Sequence, residues 1–171
     1  MTGARRSACP VRIALASPLG GAIDGAWWPR ASLAVELPEL VEALHRPLGE
    51  ILDIRVNWST TEAAPDLSSM TSYAMSMPGW RYSRQRLMAV CGRRAQARLL
   101  IVPHLTSAAL GLMVLRRAAG MPVPDSHSAV FQTADCVVRA AQADSASWAS
   151  SMDGQTADAG DAAVAARQSG P

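Results

Sequence analysis

The sequence predicts an α+β domain: a small, mostly antiparallel sheet with two or three helices packed mainly on one face, then a disordered tail. Three observations lead there. Two segments, Val11–Leu15 and Ile51–Trp58, alternate in character at the period of a half-covered strand. Between them Leu37, Leu40, Val41, Leu44 and Leu48 recur at helical spacing. From Ala141 onward Ala, Ser, Asp, Gly and Gln dominate, a composition that buries too little surface to offset its ordering entropy. The expected domain therefore spans 9–140 and the acidic tail 141–171.

Each element has its own grounds. Val11, Ile13 and Leu15 alternate with Arg12 and Ala14, and Pro18 with Gly20-Gly21 ends the strand. A loop carrying Gly21 to Arg30 leads to a helix starting between Leu33 and Leu37. Glu36 and Glu39 at its start and His45 and Arg46 at its end suit the helix dipole. Pro38 is tolerable only in the first turn, where its missing N–H costs nothing, and Pro47-Leu48-Gly49 closes the helix.

In the next strand Leu52, Ile54, Val56 and Trp58 point one way, and Asp53, Arg55 and Asn57 the other. One dry and one wet face imply cover on a single side. Residues 59–82 carry few period signals beyond a short strand at Tyr73–Met77. Leu87–Cys91, the turn at Gly92-Arg93-Arg94 and Ala97–Val102 read as a hairpin stopped by Pro103. Thr106 is an N-cap for a helix from Ser107 to Ala119, with Gly120 past its end. Thr133 caps a third helix through Arg139, with Asp135 and Arg139 paired at i, i+4.

All 16 basic residues are Arg, and they are unevenly spread. Residues 1–140 carry a net charge of +5 and residues 141–171 a net charge of −3. No acidic residue occurs between Leu67 and Pro124, where eight Arg fall; solvated or distantly paired arginines explain such a block before a nucleic-acid surface does. Cys9, Cys91 and Cys136 are odd in number and far apart, which speaks against a disulfide framework and for a reducing, cytoplasmic setting. Arg5-Arg6 precede Ile13–Ile23, but Pro18 and two glycines interrupt any signal-like core. The run Leu105–Leu115 is far short of a bilayer span, so no membrane partner is expected.

The most specific segment is Gly21-Ala-Ile-Asp-Gly-Ala-Trp-Trp-Pro-Arg30. One reading is structural: Asp24-Gly25 makes a turn, an indole caps the core and Pro29 fixes entry to the helix. The other is a binding surface: Trp27 and Trp28 stack on flat ligands or anchor a partner, Asp24 accepts hydrogen bonds and Arg30 pairs with an anion. A second, weaker candidate interleaves Trp80, Arg81, Tyr82, Arg84 and Arg86 as a nucleic-acid stacking platform, although arginines guarding a strand edge give the same pattern. His104, His127, Cys91 and Cys136 lack the tight spacing of metal ligands. No phosphate-cradling loop or nucleophile elbow is present. We therefore expect no metal, no cofactor and no catalytic residue.

Gly21 to Arg30, followed by Leu33, Glu36, Leu37, Pro38 and Leu40, resembles an actinobacterial domain-of-unknown-function family. There a strand leads into a D-G-A-W-W-P-R segment and a helix with an E-L-P core. Ala97–Val102, Pro103 and Thr106 are similar to that family's closing strand and V-P-P-x-T turn, with His104 in place of the second proline. The resemblance covers residues 11–119 and implies a small α+β domain without an established activity.

The sequence thus favours a non-enzymatic interaction or regulatory module using the Trp-Trp loop, with self-association or a protein partner as its mode. The alternative is a small-ligand binder or enzyme with a pocket around Asp24, Trp27, Trp28 and Arg30. An accessory nucleic-acid binder through Trp80, Arg81, Arg84 and Arg86 is the weaker alternative.

Overall fold

The computed structural model describes residues 11–58, 85–124 and 126–167, with side chains through Ser151. Strands β1 (Ile13–Leu15) and β2 (Gly25–Trp27) precede helix α1 (Leu33–Leu48). Strands β3 (Ile51–Val56), β4 (Leu87–Gly92) and β5 (Gln96–Ile101) follow, then helices α2 (Ala108–Ala118) and α3 (Ala129–Arg167). The strands form one sheet in the order β1-β2-β5-β4-β3. Among the described residues every pairing is antiparallel except β2 with β5. The fold is α+β, as the sequence predicts.

Of the helices among the described residues, α2 and α3 share one face and α1 covers the other. Alternation along the strands sorts the core accordingly. Trp27, Met88, Val90, Ala97, Leu99 and Ile101 pack with Leu40, Leu44 and Leu48 of α1. Ala26, Trp28, Leu87, Leu100 and Val102 pack with Leu110, Val114 and Leu115 of α2 and Ala134, Val138 and Ala141 of α3. The central strands are therefore dry on both sides, which the hydropathy of a single half-wet strand does not reveal.

α1 begins at Leu33, so Pro38 lies in the second turn rather than the first. Pro38 and Ala34 are both exposed, so water can serve the carbonyl that the missing N–H leaves open. Ser32 makes no side-chain cap. Instead the Glu36 carboxylate reaches back and accepts from the N–H groups of Arg30 at 2.6 Å and Ala31 at 2.7 Å.

β3 departs from strict alternation. Its register against β4 shifts between Ile51 and Asp53, the signature of a β-bulge. Ile51 and Ile54 consequently both pack toward α1, whereas Leu52, expected on the dry face, is 61% exposed.

The β4–β5 hairpin forms as expected. Ser107, not Thr106, directly precedes α2. Thr133 does not cap the last helix: it lies inside α3 and donates to the Ala129 carbonyl at 2.9 Å, while the Ser128 hydroxyl accepts from Phe131 N at 3.1 Å. Asp135 does pair with Arg139, and more closely with Arg117 of α2, at 3.6 and 2.6 Å.

The expected tail boundary at residue 140 falls inside α3, which continues to Arg167. Ala134, Val138, Ala141 and Ser145 are fully or almost fully buried, and Trp148 packs against the same cluster. Their spacing of four, three, four and three marks one helical face. Small residues let this face approach the sheet closely. The packed body therefore extends to Trp148.

Candidate functional site

Gly21 to Arg30 is not a loop: its centre is strand β2, inserted between β1 and β5. Gly25 is obligatory there, since a Cβ at that position would meet the Ala14 carbonyl oxygen at 2.0 Å. Successive strand residues face opposite sides, so the adjacent indoles diverge. Trp27 enters the α1 core and is fully buried; Trp28 enters the α2–α3 core and is 4% exposed. The sheet lies between the two rings, so the pair does not present both indoles on one face.

Trp28 is held from several directions. The Arg12 guanidinium stacks over its ring at 3.8 Å and also donates to the carbonyls of Trp28 at 3.0 Å and Pro29 at 2.9 Å. On the α2 side only a glycine fits: a Cβ at Gly111 would lie 2.6–2.7 Å from three carbons of the indole. Both indole N–H groups are buried without a hydrogen-bond partner among the described residues.

Asp24 is buried and fully engaged in structure. One carboxylate oxygen accepts from Gly20 N at 2.6 Å and Gly21 N at 3.0 Å, and the other from Arg98 N at 2.8 Å. Its own N–H donates to the Arg98 carbonyl, and its carbonyl accepts from Ala16 N, both at 2.7 Å. Such a carboxylate splices the 16–24 turn onto β5 and keeps little capacity for a ligand. Arg30 is half-buried at the mouth of α1. Asp24, Trp27, Trp28 and Arg30 thus lie on one strand and its exit, but do not converge.

Of the arginine-rich candidate, Trp80, Arg81 and Arg84 lie outside the described residues. Arg86 stands over the Trp58 ring at 5.4 Å. Cys91 is partly buried on β4, with its Sγ 3.7 Å from the Gln96 side-chain oxygen. Among the described residues no group of three His, Cys, Asp or Glu could hold a metal ion, and no helix is long and apolar enough to cross a membrane.

The open features lie on the opposite flank. β3 is an edge strand of the sheet, and Leu52 and Val56 on it are 61% and 37% exposed. Beside it, Pro38, Val41 and Ile51 floor a shallow groove rimmed by Glu42, His45, Arg46, Glu50 and Arg94. Arg94 donates to the Arg46 carbonyl at 2.6 Å, closing the end of α1, and Arg93 pairs with Glu50. No motif in the sequence singles out this flank; its signal is the bulge, which only register reveals.

The profile of a family of unknown function, DUF5994, matches residues 12–118. The chain belongs to this family. The match opens on β1 and closes with α2, so it contains the whole sheet and both residues of the Trp pair, while α3 follows it. No curated protein and no solved structure matches the chain.

Proposed function

We infer that this member of the family is a non-enzymatic interaction module whose contact surface is the flank formed by β3 and α1, rather than the Trp pair. One observation carries the reading: the sheet ends in a strand that pairs, among the described residues, on one side alone, with two large apolar side chains exposed along it. Edge strands offer unpaired N–H and C=O groups and are ordinarily blunted by charge, a bulge, proline or cover; β3 has a bulge at Leu52 and two charges, but Asp53 and Arg55 are of opposite sign and pair with each other. Exposed apolar side chains on such an edge favour pairing with another chain.

A ligand site at Asp24, Trp27, Trp28 and Arg30 retains only the two unpartnered indole N–H groups in its support. A nucleic-acid role rests on residues of which Arg86 alone is described.

A photo-crosslinking amino acid at Leu52 of the full chain, expressed in its native host, tests the reading. The expected product is one discrete adduct with a second polypeptide, lost in Val56→Pro, which removes an edge N–H. Absence of any intermolecular adduct, or crosslinking only to residues 59–84 of the same chain, overturns it.

A further inference from the structure

We propose that β3 is a self-pairing edge: two copies of the chain join antiparallel about a twofold axis through Ile54, continuing one sheet into the other. The proposal rests on the interaction-module reading and names its partner as a second copy.

Backbone geometry fixes which groups are available. Asn57 N donates to the Leu87 carbonyl at 3.2 Å, and antiparallel ladders alternate strictly. Asn57, Arg55 and Asp53 therefore turn their N–H and C=O groups toward β4, leaving those of Ile54 and Val56 facing outward. A twofold axis at Ile54 lets Ile54 of each copy exchange two hydrogen bonds with its counterpart. An isologous contact of this kind closes on itself and makes a dimer, not a filament.

Side chains select this register over its neighbours. Placing Ile54 opposite Ile54 sets Asp53 opposite Arg55 of the second copy at both ends of the pair. The charged side chains are both about half exposed, and within one chain they already pair at 2.6 Å. The dimer would turn two such pairs into an alternating cluster of four charges. Shifting by two residues in either direction sets Asp53 against Asp53 or Arg55 against Arg55, and like charges directly opposite are destabilising. The bulge at Leu52 ends the regular edge on that side, which shortens the strand available and removes other registers.

Sedimentation equilibrium on the full purified chain, from about 1 to 200 μM, reads the proposal. Wild type is expected to dimerise in this range. Asp53→Arg and Arg55→Asp should each weaken dimerisation at least about tenfold, since each places like charges opposite at two symmetric positions. An equimolar mixture of the two variants should dimerise again, because each arginine then meets an aspartate. Both singles lose the pair within the chain, so recovery on mixing cannot come from the fold of either. If a charge variant does not fold, Val56→Pro is the second blocking variant and should be monomeric.

A dimer indifferent to both single variants, or a mixture that stays monomeric, overturns the proposal. A monomeric wild type that still forms a Leu52 adduct with a different protein overturns self-pairing alone. A monomeric wild type with no intermolecular adduct overturns the module reading as well.

Discussion

Replacing Gly111 by alanine sets two opposing effects against each other on one atom. In a helix interior the change should stabilise by about 1 kcal/mol, because glycine is the costlier residue there. The added methyl would lie 2.6–2.7 Å from three carbons of the Trp28 benzo ring, roughly 0.7 Å inside the closest ordinary contact. The indole cannot yield readily: it is 4% exposed, and the Arg12 guanidinium lies against it at 3.8 Å. Overpacking of this kind typically costs about 1–3 kcal/mol. Because three atoms clash at once, the upper part of that range applies, and the net loss should be about 1–2 kcal/mol. Urea unfolding followed by far-UV circular dichroism should show a midpoint lowered by roughly 0.5–1 M, for a slope near 2 kcal/mol/M. The decisive arm is the same substitution in a Trp28→Phe background, where the clashing ring edge is gone. There Gly111→Ala should stabilise, so the sign reverses. A Gly111→Ala protein at least as stable as wild type, or the same loss in both backgrounds, would refute the packing argument.

Three further expectations concern the same core. Asp24→Asn should cost about 2–4 kcal/mol in chemical denaturation, because an amide cannot accept from all three N–H groups the carboxylate now serves; a loss below about 1 kcal/mol would show those bonds to be dispensable. Ser145→Ala removes a fully buried hydroxyl that donates to the Ala22 carbonyl at 2.5 Å and should lower stability by about 1–2 kcal/mol. Truncation after Ala140 deletes Ala141, the Asp144 bond to Gln85 N, Ser145 and Trp148; it should lower the melting temperature clearly, whereas truncation after Ser151 keeps every one of these contacts. Equal melting of the two truncations would mean that α3 beyond residue 140 adds nothing to the body.

How far the sequence is readable depends on how much bulk each element carries. Leu40, Leu44 and Leu48 announce α1 because each is large, apolar and one turn from the next. The β4–β5 hairpin is legible for a similar reason, with a polar turn between two apolar runs. α3 is not, because its inward face uses Ala134, Ala141 and Ser145, residues whose burial is a matter of close approach rather than of hydropathy. Only their four-three spacing through Val138 to Trp148 hints at it. The Trp pair stands out in the sequence, yet its placement depends on parity: adjacent residues on a strand must face apart, whereas on a loop they need not. Asp24 and Glu36 read as surface or binding carboxylates until the backbone N–H groups they serve are seen. The bulge at Leu52 has no residue signature at all, so the exposed flank that carries the functional reading emerges only from strand register.

One feature of the sheet bears on how the chain is made. β2 aligns parallel with β5, Gly25 beside Leu99 and Trp27 beside Ile101, and every link that Asp24 makes to Arg98 spans the same sequence distance. Closing so large a loop is entropically slow. During synthesis the N-terminal hairpin must wait, its two indoles without a home, until the last strand leaves the ribosome. The hairpin of β4 and β5 is the local piece able to form first and serve as the template onto which the Trp strand is laid.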